Sequence, residues 1–297
     1  MPECQIICPS TVAEGIEAIS RIKEDVVFLG GGTDLVIKLQ SSQRPPAWLM
    51  DLSLIPELRF IKEEKGRVRI GSGTTFFQIS ESLLLREKAR CLSQAASQVG
   101  SVQIRNRATI GGNIANASPA GDSLPALLAL EAWVSLIGPQ GARRVPFAQL
   151  QAKEQEGLKD KELITEIDFP IWEGRENSQV VSAFGKIGSR TAVSIARLNM
   201  AAVVEYDEEQ MIRNSKWAVG ALGLIPFRLP ELERELGGKR VGSELAEDIA
   251  RRLTEVVDKA IPGRASQGYK REAVQGLVYD LFGELFPDQG KIRGEKG

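Results

Sequence analysis

Phe28 and Leu29 run directly into Gly30-Gly31-Gly32-Thr33-Asp34-Leu35, and this junction constrains the fold more than any other stretch of the chain. The apolar run Val26 to Leu29 reads as a strand, and Leu35 to Leu39 reads as the helix that follows it. Three glycines between strand and helix let the backbone take positive φ and let another group come against the main chain. Successive N–H groups in such a turn form a concavity for an anion, and the Thr33 hydroxyl adds a donor. A phosphate or diphosphate is the natural guest; a tight turn with no ligand is the other reading. The spacing is neither G-x-G-x-x-G nor G-x-x-x-x-G-K-[ST], so a phosphate cradle here differs from the dinucleotide fingerprint and from the P-loop.

A second glycine-rich segment spans Ile104 to Asp122 and packs Gly111, Gly112, Asn113, Asn116, Ser118 and Asp122 into twelve residues. Short polar side chains and glycines at this density suit many hydrogen bonds to an elongated polar ligand. Asp122 can accept from a sugar hydroxyl, as acidic residues do in nucleotide sites. The competing reading is a long, self-capped loop with Asp122 near a helix start. Arg105 and Arg107 suit a phosphate, a partner subunit or simply solvent.

Composition narrows the chemistry. The 297 residues carry 38 Lys plus Arg and 39 Asp plus Glu, and 42% are apolar. A net charge of -1 speaks against a nucleic-acid binder working through overall charge, and the apolar content against disorder. No apolar run approaches the ~20 residues that cross a bilayer. The start, MPECQIICPS, lacks the basic and apolar regions of a signal peptide, so a cytoplasmic location is expected. Histidine is absent, which removes Ser-His-Asp triads, histidine metal sites and histidine proton shuttles. Cys4, Cys8 and Cys91 are too few for the four thiolates of an iron-sulfur cluster and read as small, partly buried apolar residues, so no metal is expected on this chain.

The remaining pattern is mixed. Residues 9–23 read as a helix opened by the capping box Thr11-x-x-Glu14, with Val12, Ile16 and Ile19 on one face. Strands are expected at Trp48 to Leu52, Arg67 to Gly71, Trp133 to Ile137, Leu163 to Pro170, Val180 to Ile187, Met200 to Tyr206 and Trp217 to Leu222. Gln78 to Val99 reads as one helix, Leu124 to Leu130 as a short one, and residues 151–161 as an exposed polar connection. From Val241 onward the pattern is helical. Sequential βαβ alternation is missing, so a plain Rossmann sheet is not expected.

Four segments, in order, resemble the FAD-binding subunit of the molybdenum hydroxylases, the xanthine dehydrogenase and carbon monoxide dehydrogenase group. They are L-G-G-G-T-D-L at 29–35, I-R-N-R-A-T-I-G-G-N-I at 104–114, A-S-P-A-G-D-S-L-P-A-L-L-A-L at 117–130 and F-G-K-I-G-S-R-T-A-V-S-I-A-R-L-N-M-A at 184–201. Tyr269-Lys270-Arg271 resembles the family's Y-R-R near the last helix. The resemblance implies an α+β fold: a two-part FAD-binding domain of the vanillyl-alcohol-oxidase (PCMH) type over 1–175, then a smaller α+β domain over 176–297. It implies that Leu29, Gly30, Gly31, Gly32, Thr33, Asp34 and Leu35 wrap the FAD diphosphate, joined by Thr109, Gly112, Asn113 and Asn116. Asp122 would hold ribose or ribityl hydroxyls, Leu163 would pack on the isoalloxazine ring, and Lys186 would reach and tune the flavin.

The implied role is electron relay, with the flavin and not a side chain doing the chemistry. Molybdopterin sits on a large partner subunit and 2Fe–2S clusters on a small one, and the flavin passes electrons to NAD+ or another acceptor. No nucleic acid and no membrane is involved. Gly-Ser-Gly-Thr-Thr at 71–75 resembles a further family turn and equally reads as a plain turn. The rival readings are a free-standing flavin reductase like UDP-N-acetylenolpyruvoylglucosamine reductase and a non-catalytic nucleotide-binding module.

Overall fold

A computed structural model of the chain describes residues 4–42, 44–152, 157–190 and 193–287. They form two compact units that are interleaved in sequence: residues 4–84, 101–118 and 131–171 make one, and 85–100, 119–130 and 172–287 the other.

The first unit holds two sheets. Strands β1 (Gln5–Ile7), β2 (Val26–Leu29) and β3 (Trp48–Asp51) form a parallel sheet in the order β1-β3-β2. Strands β4 (Ile61–Glu64), β5 (Arg67–Gly71), β6 (Trp133–Gly138), β7 (Gly141–Pro146) and β8 (Leu163–Pro170) form an antiparallel sheet in the order β4-β5-β8-β6-β7. The helix Val12–Arg21 starts as its sequence dictates, with the Thr11 side chain accepting from the Glu14 N–H. The Glu14 carboxylate, however, turns back to Ser10, so only half of the expected capping box forms.

The second unit is built on one antiparallel sheet, from β9 (Ser178–Ile187), β10 (Leu198–Asp207), β11 (Ile212–Gly220) and β12 (Phe227–Arg228), in the order β12-β11-β10-β9. Every residue of β10 is buried. Leu198, Met200, Ala202, Val204 and Tyr206 share a core with the helices Pro230–Leu236, Ser243–Ala260 and Gln267–Leu285. The helices Arg90–Ser97 and Ser123–Ala129 also pack on β10. That covering explains an apolar run where a half-exposed strand would alternate. Gly185 on β9 admits the last helix, since a Cβ there would lie 2.7 Å from Leu277 Cδ1.

The expected helix from Gln78 to Val99 is instead three: Phe76–Glu81, Leu83–Lys88 and Arg90–Ser97. Ser82 and Ala89 leave the helical region, and the chain passes between units within this stretch. Strand β11 also begins five residues earlier than its apolar residues suggested, at Ile212. Part of the expected polar connection, residues 153–156, lies outside the described residues.

The cysteines separate by environment: Cys4 is half-buried, Cys8 exposed and Cys91 buried, so Cys8 departs from the partly buried expectation. Among the described residues no group of His, Cys, Asp and Glu can hold a metal ion, and no helix is long and apolar enough to cross a membrane. Burial pushes the Cys91 thiol up to about 12, against hydrogen bonds from Ser182 and the backbone. A thiol raised in the folded state stabilises fully below its unfolded pKa, and that contribution fades as pH climbs toward the folded value. Wild type is therefore expected to lose stability faster than Cys91→Ala between about pH 9 and 12. Urea midpoints measured across that range check this, and parallel curves would refute it.

Candidate functional site

Strand β2 delivers the chain into Gly30, Gly31 and Gly32, and the backbone turns at Gly32 with φ +77°. The helix Leu35–Ser41 follows, tied back by the Val36 N–H to the Gly32 carbonyl at 3.0 Å. Among the described residues, nothing accepts from the N–H groups of Gly31, Gly32 or Thr33. Unsatisfied N–H groups on consecutive residues are a cradle for an anion.

The second glycine segment comes against the first. A Cβ on Gly31 would lie 1.9 Å from the Arg107 carbonyl oxygen and 2.8 Å from Ala108 Cα, and one on Gly30 would lie 2.8 Å from Thr109 Oγ1. The segment is not a loop throughout. Helix Val102–Arg105 starts at Ser101, and helix Ile110–Asn116 starts at Thr109, whose hydroxyl accepts from the Gly112 N–H at 3.2 Å. Gly111 sits inside that helix because a Cβ would lie 2.7 Å from Ser72 Cβ.

Ser72 belongs to a third wall that the sequence left open between a ligand turn and a plain one. Residues 71–75 are stitched to the second segment by Gly111 N–H to Ser72 O (2.8 Å), Ile110 N–H to Thr74 O (3.1 Å) and Phe76 N–H to Ala108 O (3.0 Å). The three segments enclose a cleft of about 350 Å³ lined by Gly30, Gly31, Ser72, Gly73, Thr109 and Gly112, with Leu163 and Ile164 of β8. That volume falls in the usual range for small-molecule sites.

Of the expected site residues, Gly30, Gly31, Thr109, Gly112 and Leu163 line this cleft. Leu29, Gly32, Thr33, Asp34, Leu35, Asn113 and Asn116 belong to its supporting turns and helices, outside the lining. The Asn116 side-chain Oδ1 accepts from Lys38 Nζ. Arg59, Asn106 and Arg107 also line the cleft, with Glu162. Burial pushes the Glu162 carboxyl up, but the two-pronged Arg143 guanidinium, at 2.7 Å on each oxygen, outweighs it and holds the group below the usual carboxylate range. Arg59 had no mark in the sequence: it follows a short 3₁₀ turn, Pro56–Leu58, and resembles any exposed arginine.

Asp122 and Lys186 lie in the second unit, paired with each other at 2.6 Å. The other Asp122 oxygen accepts from Asn199 Nδ2 at 3.0 Å, and Lys186 Nζ also donates to the Gln98 carbonyl at 3.0 Å. Asp122 occupies the N-cap position of helix Ser123–Ala129 without capping it. Burial pushes the Asp122 carboxyl above its ordinary range, partly offset by Lys186 and Asn199.

The chemistry of the cleft fits a flavin dinucleotide: glycines where a Cβ would intrude, free backbone N–H groups for a diphosphate and an apolar wall at Leu163. Comparison with known proteins agrees. Residues 2–172 match the FAD binding domain in molybdopterin dehydrogenase, and residues 183–285 the CO dehydrogenase flavoprotein C-terminal domain. The chain is 30% identical to the nicotinate dehydrogenase FAD-subunit of Eubacterium barkeri, over 96% of this chain and 97% of that one. It is 28% identical to the xanthine dehydrogenase FAD-binding subunit of Escherichia coli O157:H7, over 95% of each. In structure it is similar to a chain of carbon monoxide dehydrogenase from Hydrogenophaga pseudoflava, with TM-score 0.84 and 25% identity over 96% of this chain and 98% of that one. The chain thus belongs to the FAD-binding flavoproteins of the molybdenum hydroxylase family, an oxidoreductase family.

Proposed function

We propose that this chain is the FAD-carrying electron-transfer subunit of a cytoplasmic molybdopterin hydroxylase complex. A large partner subunit holds molybdopterin, a small one holds 2Fe–2S clusters, and electrons arriving here leave to NAD+ or another acceptor. The observation that carries the reading is the meeting of Gly30 and Gly31 with Arg107 to Thr109 at the edge of one cleft. When bound, FAD supplies the redox chemistry, joining two-electron and one-electron donors and acceptors. The chain's own residues bind and exclude water. The N–H groups of Gly31, Gly32 and Thr33 receive the diphosphate, with Leu29, Asp34 and Leu35 setting the turn. Thr109 and Gly112 form the facing wall, with Asn113 and Asn116 behind it on one helix, and Leu163 shields one face of the ring. Asp122 and Lys186 enter the proposal through the family resemblance alone. Residues 1–175 and 176–297 are taken as its two domains, in keeping with the matched ranges.

The test is direct. The purified chain is expected to show a flavin spectrum, to release FAD on denaturation and to contain no iron. Colourless protein that takes up no added FAD, alone or with its partner subunits, would reject the reading. NADPH oxidation by the isolated chain that depends on an enolpyruvyl sugar nucleotide would favour the free-standing reductase instead.

A further inference from the structure

Backbone N–H groups and glycines explain how the cleft admits a diphosphate, but they carry no formal charge to match it. Two arginines, Arg59 and Arg107, are among the residues that line the cleft. Arg59 lies along the wall, its Cγ 3.4 Å from where a Gly73 Cβ would stand, and its Nη2 donates to the Ser53 carbonyl. Gly73 and Ser53 line the same cleft, so the arginine head is fixed there while its other N–H donors remain open. Arg107 lines the cleft from the second glycine segment, and its own carbonyl oxygen is the atom that abuts Gly31. Among the described residues neither arginine has a carboxylate partner. The one carboxylate in the lining, Glu162, is already taken by Arg143. The cleft lining therefore includes two arginines without a carboxylate partner, on the segments that adjoin the free N–H groups. Arginines elsewhere on the same unit, Arg67, Arg69, Arg143 and Arg144, are all matched to acids.

We propose that Arg59 and Arg107 are cofactor-binding residues that pair with the diphosphate, and that they set the preference of the cleft for a dinucleotide over an uncharged flavin. The inference rests on the FAD reading above and adds to it the charge that selects the ligand. Planar guanidinium groups suit this task because two parallel N–H donors meet two phosphate oxygens.

The test measures flavin fluorescence quenching on the full chain freed of its flavin, with FAD and riboflavin as separate probes. Arg59→Gln and Arg107→Gln are each expected to weaken FAD binding about tenfold, and the double variant about a hundredfold, as charge-assisted hydrogen bonds are lost. Riboflavin binding should stay unchanged, and the dependence of FAD affinity on salt should flatten in the double variant. Arg59→Lys should recover part of the loss, keeping the charge without the fork. Inorganic pyrophosphate should compete with FAD on wild type and far less on the double variant. Both residues are exposed, so circular dichroism and thermal midpoints should match wild type. A double variant that keeps wild-type FAD affinity and salt dependence, or that loses riboflavin in equal measure, overturns the proposal while leaving the cofactor reading intact. A wild-type chain that binds neither flavin overturns the cofactor reading and this proposal with it.

Discussion

Asp122→Ala is expected to destabilise the folded chain by about 3–5 kcal/mol, the usual cost of leaving one half of a buried ion pair without its partner. The Lys186 side chain is 6% exposed and that of Asp122 is 7% exposed, so solvent cannot take over either charge. Without Asp122, the Lys186 ammonium keeps the Gln98 carbonyl but loses its neutralising charge. Asn199 loses its one bonded atom as well, since its Oδ1 already has no partner. Urea unfolding followed by the fluorescence of Trp217, in the core of the same unit, measures the effect. Asp122→Asn combined with Lys186→Met should recover much of the loss, because no charge is then left unpaired. A loss below about 1 kcal/mol for Asp122→Ala would place this pair among screened surface bridges instead.

Gly31→Ala is the other large expected effect, and its cause is steric rather than electrostatic. The added methyl would stand 1.9 Å from the Arg107 carbonyl oxygen and 2.5 Å from its carbon. Both are backbone atoms, so no rotamer change relieves the clash, and the two glycine segments must separate. The expected cost is about 3 kcal/mol, at the upper end for overpacking, together with loss of bound FAD. Gly276→Ala makes a good control. It lies in the helix Gln267–Leu285 with no atom within 4 Å of an added Cβ, so it should be neutral or stabilising by up to about 1 kcal/mol. Thermal midpoints and flavin content of the two variants decide the matter; equal behaviour would show that the Gly31 contact yields easily.

What the sequence revealed follows from which constraints are local. The strand, glycine turn and helix around Gly30 to Gly32 were legible because the apolar run, the glycines and the following apolar residues are all local. The apolar strand β10 and the spacing of Leu245, Ile249 and Leu253 were legible because burial imposes them. The helix breaks at Ser82 and Ala89 were not, since no glycine or proline marks them and Leu83, Leu84 and Leu85 continue the apolar pattern. Gly111 and Gly112 suggested loop but lie in a helix, because their requirement comes from Ser72 and Thr109, distant in sequence. Arg59 shows the limit most plainly: what singles it out is a carbonyl at Ser53 and a glycine at 73, and no local pattern reports either.

The interleaving of the two units bears on how the polypeptide emerges from the ribosome. All seven residues of the helix Ser123–Ala129 end up buried, and the strands β10 and β11 that it packs on are translated some seventy to ninety residues later. Until then Leu124, Leu127 and Leu128 have the helix Arg90–Ser97 to meet but not the sheet, so the nascent chain carries an incompletely covered apolar segment. The same holds for a fragment ended at residue 172, which spans the residues matched to a family domain yet lacks the sheet on which two of its own helices pack. A unit of folding, and of expression, has to include residues on both sides of that boundary.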